Sequence, residues 1–136
     1  MRLVRCGVAV AVVAASWPGA SLADGTGPSF DCRRAASAVE HEICRKAPLA
    51  SFDHQIATLY AQALGVLDAA SADALHTDQR LWIKVRDDCN YQVPSNPRAT
   101  TDVEGCLAGA MATRVSQLQK VIADKTYARP CHPQSC

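Results

Sequence analysis

One stretch of the sequence limits the possible folds more than any other, and it runs from Gln79 to Cys106. It reads QRLWIKVRDDCNYQVPSNPRATTDVEGC, so the end of one helical pattern and the start of another flank a loop rich in Pro and Asn. Cys89 and Cys106 stand at the two ends of that loop. A disulfide between them would fasten two helices together, which favours a small stapled helical domain.

The first 23 residues have the composition of a secretory signal peptide. Arg2 and Arg5 precede an apolar run over residues 7–15, and Ala23 ends a short stretch of small residues. We therefore predict cleavage between Ala23 and Asp24, which gives a periplasmic or secreted protein. A membrane anchor is the alternative, but the apolar run is shorter than the roughly 20 residues that cross a bilayer.

The charge of the predicted mature chain argues against nucleic acid and anionic membranes as partners. The full chain has 14 basic and 13 acidic residues. Loss of Arg2 and Arg5 leaves 12 basic residues and a net charge of −1. Without a basic excess, no patch that attracts phosphate groups is expected. We also expect no membrane insertion after cleavage.

The cysteines indicate an oxidising environment. Cys6 precedes the apolar run, where it cannot serve as a lipid-anchor cysteine, and it leaves with the signal peptide. The remaining cysteines are even in number, as a disulfide framework requires. Pairing neighbours in sequence is the simplest assignment, namely Cys32 with Cys44 and Cys89 with Cys106. The last two cysteines, Cys131 and Cys136, lie in the tail RPCHPQSC. They could close a loop of their own or pair between chains.

Hydrophobic periodicity predicts helices throughout and gives no sign of a sheet. Ser37 and Glu40 form a capping box before a short helix, which should end near Lys46 because Pro48 follows. Pro48 suits the first turn of a second helix. Apolar residues of that helix recur at spacings of three and four: Leu49, Phe52, Ile56, Leu59, Tyr60, Ala63 and Leu67. Asp53 falls off this stripe and is expected at the surface.

Two further helices follow. Ser71 is the predicted cap of the third, whose inward face would carry Leu75, Trp82, Val85 and Cys89. A second capping box, Thr101 to Glu104, starts the fourth, which runs to about Lys125 with Leu107, Met111, Val115, Leu118 and Ile122 inward.

The predicted organisation is an all-α, disulfide-stapled bundle of about four helices. Residues 24–28 form a flexible lead, residues 29–125 the helical domain and residues 126–136 a Cys-containing tail. A domain of this size buries a small core, so the staples matter for its stability.

The sequence resembles the lysozyme inhibitor LprI-like N-terminal domain family over about Ser29 to Val121. The resemblance is carried by SFDCRRAASAVEHEIC, PLASFDHQIATLYAQAL and QRLWIKVRDDC, followed by a later cysteine before an amphipathic helix. It implies a small, all-helical, exported domain with two internal disulfides, found in bacterial envelope proteins and linked to lysozyme inhibition. This chain departs from the family pattern in its tail, and in Ala47, where the family often has Asp or Asn.

Several possible catalytic or metal-binding groups lack the required pattern. His41-Glu42 resembles part of a zinc helix, but Arg45 stands where the second histidine is needed. No serine lies in a nucleophile elbow, and exported cysteines should be oxidised. Asp87 and Asp88 point about 100° apart on a helix, so they do not converge on one bond. We therefore expect no enzyme, cofactor or metal, with a hydrolase of dispersed site as the weakest alternative.

The loop between the stapled cysteines, over residues 90–101, is the predicted contact surface. Tyr91, Ser95, Asn96 and Arg98 can hydrogen-bond the two carboxylates of a lysozyme cleft and so block it. The structural alternative is a plain disulfide-closed connection. The expected partner of this monomeric protein is lysozyme or another envelope protein, and the alternative function is an envelope interaction or stress module without inhibition.

The polar run before the loop has a separate, structural interpretation. Trp82 is expected in the core and Arg86 in a structural ion pair with a helix end, Asp31 or Glu40. Less constrained polar residues should form a surface; these are Gln79, Arg80 and Lys84.

Overall fold

A computed structural model describes residues 27–95 and 101–128. The described elements are a 3₁₀ turn, Cys32–Arg34, and five α-helices: α1 Ala38–Arg45, α2 Ala47–Val66, α3 Ala69–Asp87, α4 Cys89–Ser95 and α5 Val103–Asp124. No strand occurs within these ranges, and the all-α prediction is confirmed. The predicted signal peptide and the cysteines of the tail lie outside the described residues.

The first helix boundaries follow the sequence signals. The Ser37 hydroxyl accepts the amide of Glu40 at 3.1 Å, and the Glu40 carboxylate accepts the amide of Ser37 at 3.0 Å. The amides of Ala36 and Ser37, which both donate to the Glu40 carboxylate, lower the pKa of Glu40. The helix ends at Arg45. Lys46 follows, and α2 then begins at Ala47 with Pro48 in its first turn. The predicted capping box is confirmed.

Two predicted caps are shifted along the chain. The N-cap of α3 is Asp68, whose carboxylate accepts the amide of Ser71 at 2.8 Å, so the serine lies inside the helix. The N-cap of α5 is Asp102, which accepts the amide of Gly105 at 2.7 Å. Asp, Ser and Thr are comparable caps, so cap preference alone does not choose between neighbouring residues of these types. Glu104 does not complete a capping box, because with Asp102 as the N-cap it is the second residue of the helix and not the third. Its carboxylate pairs with Lys46 at 2.7 Å.

The core lies between α2 and α5, with α1 and α3 packed against this pair. The predicted apolar stripes of α2 and α5 are confirmed, since every member of these two stripes is buried or half-buried. The largest fully buried side chains are Ile43, Leu49, Leu75, Leu107, Met111 and Leu118. Each contributes about 1.5 to 3 kcal/mol by leaving water. No helix among the described residues has the length and apolar character that a membrane crossing requires.

The surface prediction for Asp53 is wrong, because this residue is only 9% exposed. The amide and hydroxyl of Ser29 donate to its Oδ2 atom at 2.7 and 2.6 Å, and Arg86 lies 3.9 Å from its Oδ1 atom. A buried carboxylate is tolerated when such partners replace water. The contact also anchors the residues that lead into the 3₁₀ turn.

Both disulfides lie at one end of the bundle. Cys32 bonds Cys44, with their Cα atoms 5.9 Å apart, and Cys89 bonds Cys106, with a Cα separation of 5.8 Å. Both predicted pairings are confirmed. The Lys46–Glu104 ion pair joins the start of α2 to the start of α5 at the same end. We call this region the disulfide end; it also contains the end of α3 and all of α4.

Candidate partner-binding surface

The segment after α3 is helical at first, so the predicted loop over residues 90–101 is wrong in its first half. The amides of Tyr91 and Gln92 both donate to the carbonyl oxygen of Asp88 at 2.9 Å, which starts α4. Pro94 lies one residue before the end of this helix. At that position its missing amide removes one hydrogen bond and does not disrupt several turns.

The Cys89–Cys106 disulfide fixes the first residue of α4 to the first turn of α5. Cys89 is only 5% exposed and belongs to the core. α4 is therefore held covalently at its start, and its side chains project from a fixed base. Such preorganisation reduces the conformational entropy lost when a partner binds.

The structure describes two of the four predicted contact residues. Tyr91 and Ser95 lie on α4 and are both exposed, with Tyr91 at 70%. Residues four apart on a helix lie on the same side, so these two hydroxyl groups face one partner together. Asn96 and Arg98 lie outside the described residues, and their role stays a prediction.

The second half of α3 adds exposed apolar side chains. Leu81, Ile83 and Val85 are 48%, 38% and 64% exposed. The prediction that Val85 faces inward is wrong. The inward positions in this half of α3 are occupied by two polar residues, Gln79 and Arg86. A search for apolar periodicity alone selects the wrong face here.

Arg114 joins α5 to α3 through a buried network that the sequence interpretation missed. The residue is 3% exposed. Its guanidinium donates to the Asp78 carboxylate at 2.7 Å and to the Gln79 side-chain oxygen at 3.0 and 2.7 Å. Gln79 is thus internal and not part of a free polar surface. A signal was present, because Arg114 stands three residues after Met111 and four before Leu118, on the inward stripe of α5.

Trp82 lies between two arginines. The guanidinium carbons of Arg86 and Arg114 are each 5.6 Å from the centre of its ring system, within cation–π range. The half-buried indole packs against the core, as predicted. Arg86 is structural, but its partners are Asp87, at 2.7 Å, and Asp53, instead of the acidic residues predicted nearer the N-terminus.

Tyr127, just after α5, packs back against the core beside Asp78. Burial, and then the hydrogen bond to the Asp78 carboxylate, raise the pKa of Tyr127 from 10.0 to about 12. A pKa that is higher in the folded state than in the unfolded state stabilises the fold. This contribution is complete below the unfolded-state pKa and is lost as the pH rises through the folded-state pKa. The phenol therefore contributes to stability below pH 10 and ceases to do so above about pH 12.

We expect the free energy of unfolding of the wild type to fall more steeply between pH 10 and 12 than that of the Tyr127→Phe variant. Urea denaturation at a series of pH values measures both slopes. The lysines titrate in both proteins, so the difference between the slopes isolates the phenol. Parallel slopes would show that Tyr127 does not titrate with a raised pKa.

The candidate catalytic and metal-binding side chains that the sequence analysis considered lie apart or form ion pairs in the described part of the chain. Among residues 27–95 and 101–128, no three His, Cys, Asp or Glu side chains are placed to hold a metal ion. His41 is exposed, Glu42 pairs with Arg45, and Asp87 pairs with Arg86. The disulfide end therefore offers hydroxyl groups and apolar contact area to a partner.

Fold and surface together define a small, disulfide-stapled helical domain with exposed hydroxyl and apolar side chains at one end. The sequence model of the family described as lysozyme inhibitor LprI matches residues 32–118. The chain belongs to this family, as the resemblance predicted.

The curated relatives extend beyond the matched region. Lipoprotein LprI of Mycobacterium bovis and lipoprotein LprI of Mycobacterium tuberculosis are each 34% identical to this chain over 117 residues. The match covers 86% of this chain and 53% of each relative, so the chain spans about half the length of the relatives. No solved structure matches the chain.

Proposed function

We propose that this protein is an exported, monomeric, non-catalytic inhibitor of lysozyme-type muramidases that acts by occluding the active-site cleft. The description of its family as a lysozyme inhibitor supports the partner. The lipoprotein names of its relatives, together with the signal-peptide composition of residues 1–23, support a periplasmic or secreted location.

The observation that carries the site assignment is the position of Tyr91. Its side chain is 70% exposed on a helix whose first residue is both buried and disulfide-bonded. Tyrosine combines a large apolar ring with a hydrogen-bonding group and has few rotatable bonds, and it is enriched among residues that dominate binding energy. A tyrosine fixed in this way is suited to enter a partner's pocket.

The chemistry of a lysozyme cleft matches the groups on offer. Glycoside hydrolysis uses two carboxyl groups, one as proton donor and one ionised. Tyr91 and Ser95 supply hydroxyl donors from α4, and we assign the same role to the amide of Asn96. The guanidinium of Arg98 would add a charge-assisted bond to the ionised carboxylate. A cleft filled in this way cannot admit the polysaccharide.

The first test is a titration of lysozyme with the purified, oxidised protein during clearing of a cell-wall suspension. We expect the clearing rate to fall to zero with increasing protein. Unchanged clearing at large molar excess would contradict inhibition. If clearing is unchanged, a partner enriched from periplasmic extract would favour the envelope interaction module.

The second test addresses the contact residues. Replacing Tyr91, Ser95, Asn96 and Arg98 with alanine should raise the inhibition constant at least about a hundredfold, since hot-spot residues contribute about 2 kcal/mol or more each. Helix content and both disulfides should be unchanged.

A matched control variant changes four exposed side chains on α2 and α5, away from α4: Thr58, Gln62, Gln119 and Lys120 to alanine. This control should inhibit like the wild type. Equal inhibition by both variants would show that α4 and the following residues are only a connection.

A further inference from the structure

The exposed apolar side chains of the described residues are concentrated in one part of the chain. Five large ones are exposed, and four of them lie between residues 81 and 91, the exception being Val66. Leu81 and Val85 are four residues apart on α3 and so share one face. That face points away from the core, toward which Leu75 and Trp82 are directed. Clustered exposed apolar area is typical of an interaction site.

Two cations border this apolar face. Arg80 and Lys84 are exposed and lie one helical turn apart, with Cβ atoms about 6 Å from each other. Within residues 27–95 and 101–128 neither forms an ion pair; Arg80 donates a hydrogen bond to Thr77 at 3.3 Å. Asp88 is a carboxylate at the end of the same face, so the cationic character is confined to the turn between Arg80 and Lys84.

We infer that this face, defined by Arg80, Leu81, Lys84 and Val85 and called here the α3 strip, is a second contact surface for the lysozyme, seated on the acidic cleft and its rim. The inference rests on the proposed function and extends it from α4 to α3. Charge complementarity selects the occupant. The two cations suit acidic side chains on the rim of the cleft, while the catalytic carboxyl pair remains the target of the groups on and after α4.

The α3 strip and Tyr91 are close enough to act as one surface. Val85 and Tyr91 lie six positions apart in sequence, and the chain between them is helical except for a turn at Asp88. Six helical positions correspond to a rise of about 9 Å. From Leu81 to Ser95 the exposed groups extend over about 20 Å of helical chain, a length that suits a standard protein–protein contact. Ile83 lies on another side of α3 and is not included.

The test measures the inhibition constant and the association rate of the wild type and of three variants, two of them double and one single. Leu81→Ser/Val85→Ser should raise the inhibition constant at least about tenfold by removing apolar contact. Arg80→Gln/Lys84→Gln should slow association and weaken its dependence on ionic strength, because steering charges act mainly on the on-rate. Val66→Ser, which alters an apolar residue that is 40% exposed and lies outside the strip, should change neither quantity.

The outcomes separate this inference from the proposed function. A wild-type protein that does not inhibit overturns both. A wild type that inhibits, with Leu81→Ser/Val85→Ser inhibiting equally well, overturns the α3 strip alone. If the wild type sediments as a dimer that this variant disrupts without loss of inhibition, the strip contacts a second copy and the inference is wrong. Should the apolar variant fail to fold, an unaltered salt dependence in Arg80→Gln/Lys84→Gln overturns the inference by itself.

Discussion

Replacing Arg114 with methionine is expected to lower the free energy of unfolding by about 3 kcal/mol, the low end of the range for breaking a buried ion pair. The guanidinium is 3% exposed and donates to Asp78 and Gln79. Its loss leaves the Gln79 amide oxygen without this donor, and it leaves the Asp78 carboxylate with the Tyr127 hydroxyl but without its positive partner. The low end applies because the Asp78 side chain is 20% exposed and can recruit water. Chemical denaturation followed by circular dichroism measures the change.

The control for this prediction is Lys120→Met on the same helix. Lys120 is 76% exposed and pairs with Asp124 at the surface, so its replacement should change the stability by no more than about 0.5 kcal/mol. Adding Asp78→Asn to the Arg114 variant should recover part of the loss, because no unpaired charge remains. An Arg114→Met protein within about 1 kcal/mol of the wild type would show that the network contributes little.

Replacing Cys89 and Cys106 with alanine is expected to lower the free energy of unfolding by about 3 kcal/mol and to abolish inhibition. The disulfide closes a loop with a sequence separation of 17 and is the covalent connection between α4 and α5. Without it the unfolded chain gains freedom, and in the folded state α4 no longer holds Tyr91 in place. Denaturation and the clearing assay measure the two effects separately.

The other disulfide is the matched control. Cys32 and Cys44 close a loop with a sequence separation of 12, so replacing both with alanine should cost a similar amount of stability. Because this bond holds the 3₁₀ turn to α1 and not α4, inhibition should persist wherever the variant is folded. Equal inhibition by the two alanine variants would show that the Cys89–Cys106 bond does not position the contact surface.

The helices that sequence reasoning located well are those whose buried faces are apolar. The stripes of α2 and α5 appear at spacings of three and four because dispersion and transfer from water dominate there. Local signals such as the Ser37 capping box depend on four neighbouring residues, so they can also be read from sequence.

The errors occur where polar groups are buried by partners distant in sequence. Asp53 is inside because Ser29 and Arg86 satisfy it. Arg114 is inside because of Asp78 and Gln79, which are 36 and 35 residues away in sequence. No local pattern records such contacts. The same cause explains Val85, since polar inward residues on α3 displace its apolar residues to the surface.

The candidate surface could be predicted only in outline. The stapled cysteines identified the segment, and Tyr91 is exposed there as a contact residue must be. That the segment begins as a helix was hidden by Pro94, which sequence rules place outside helices. The α3 strip was hidden by the assumption that apolar residues face inward.

The most direct measurement of the central claim is a calorimetric titration of lysozyme with this protein, in the absence and in the presence of a saturating N-acetylglucosamine oligosaccharide that occupies the cleft. Occlusion of the cleft from the disulfide end predicts tight binding to free lysozyme and an affinity that falls in proportion to the oligosaccharide occupancy. An affinity for lysozyme that is the same with and without the oligosaccharide would contradict it.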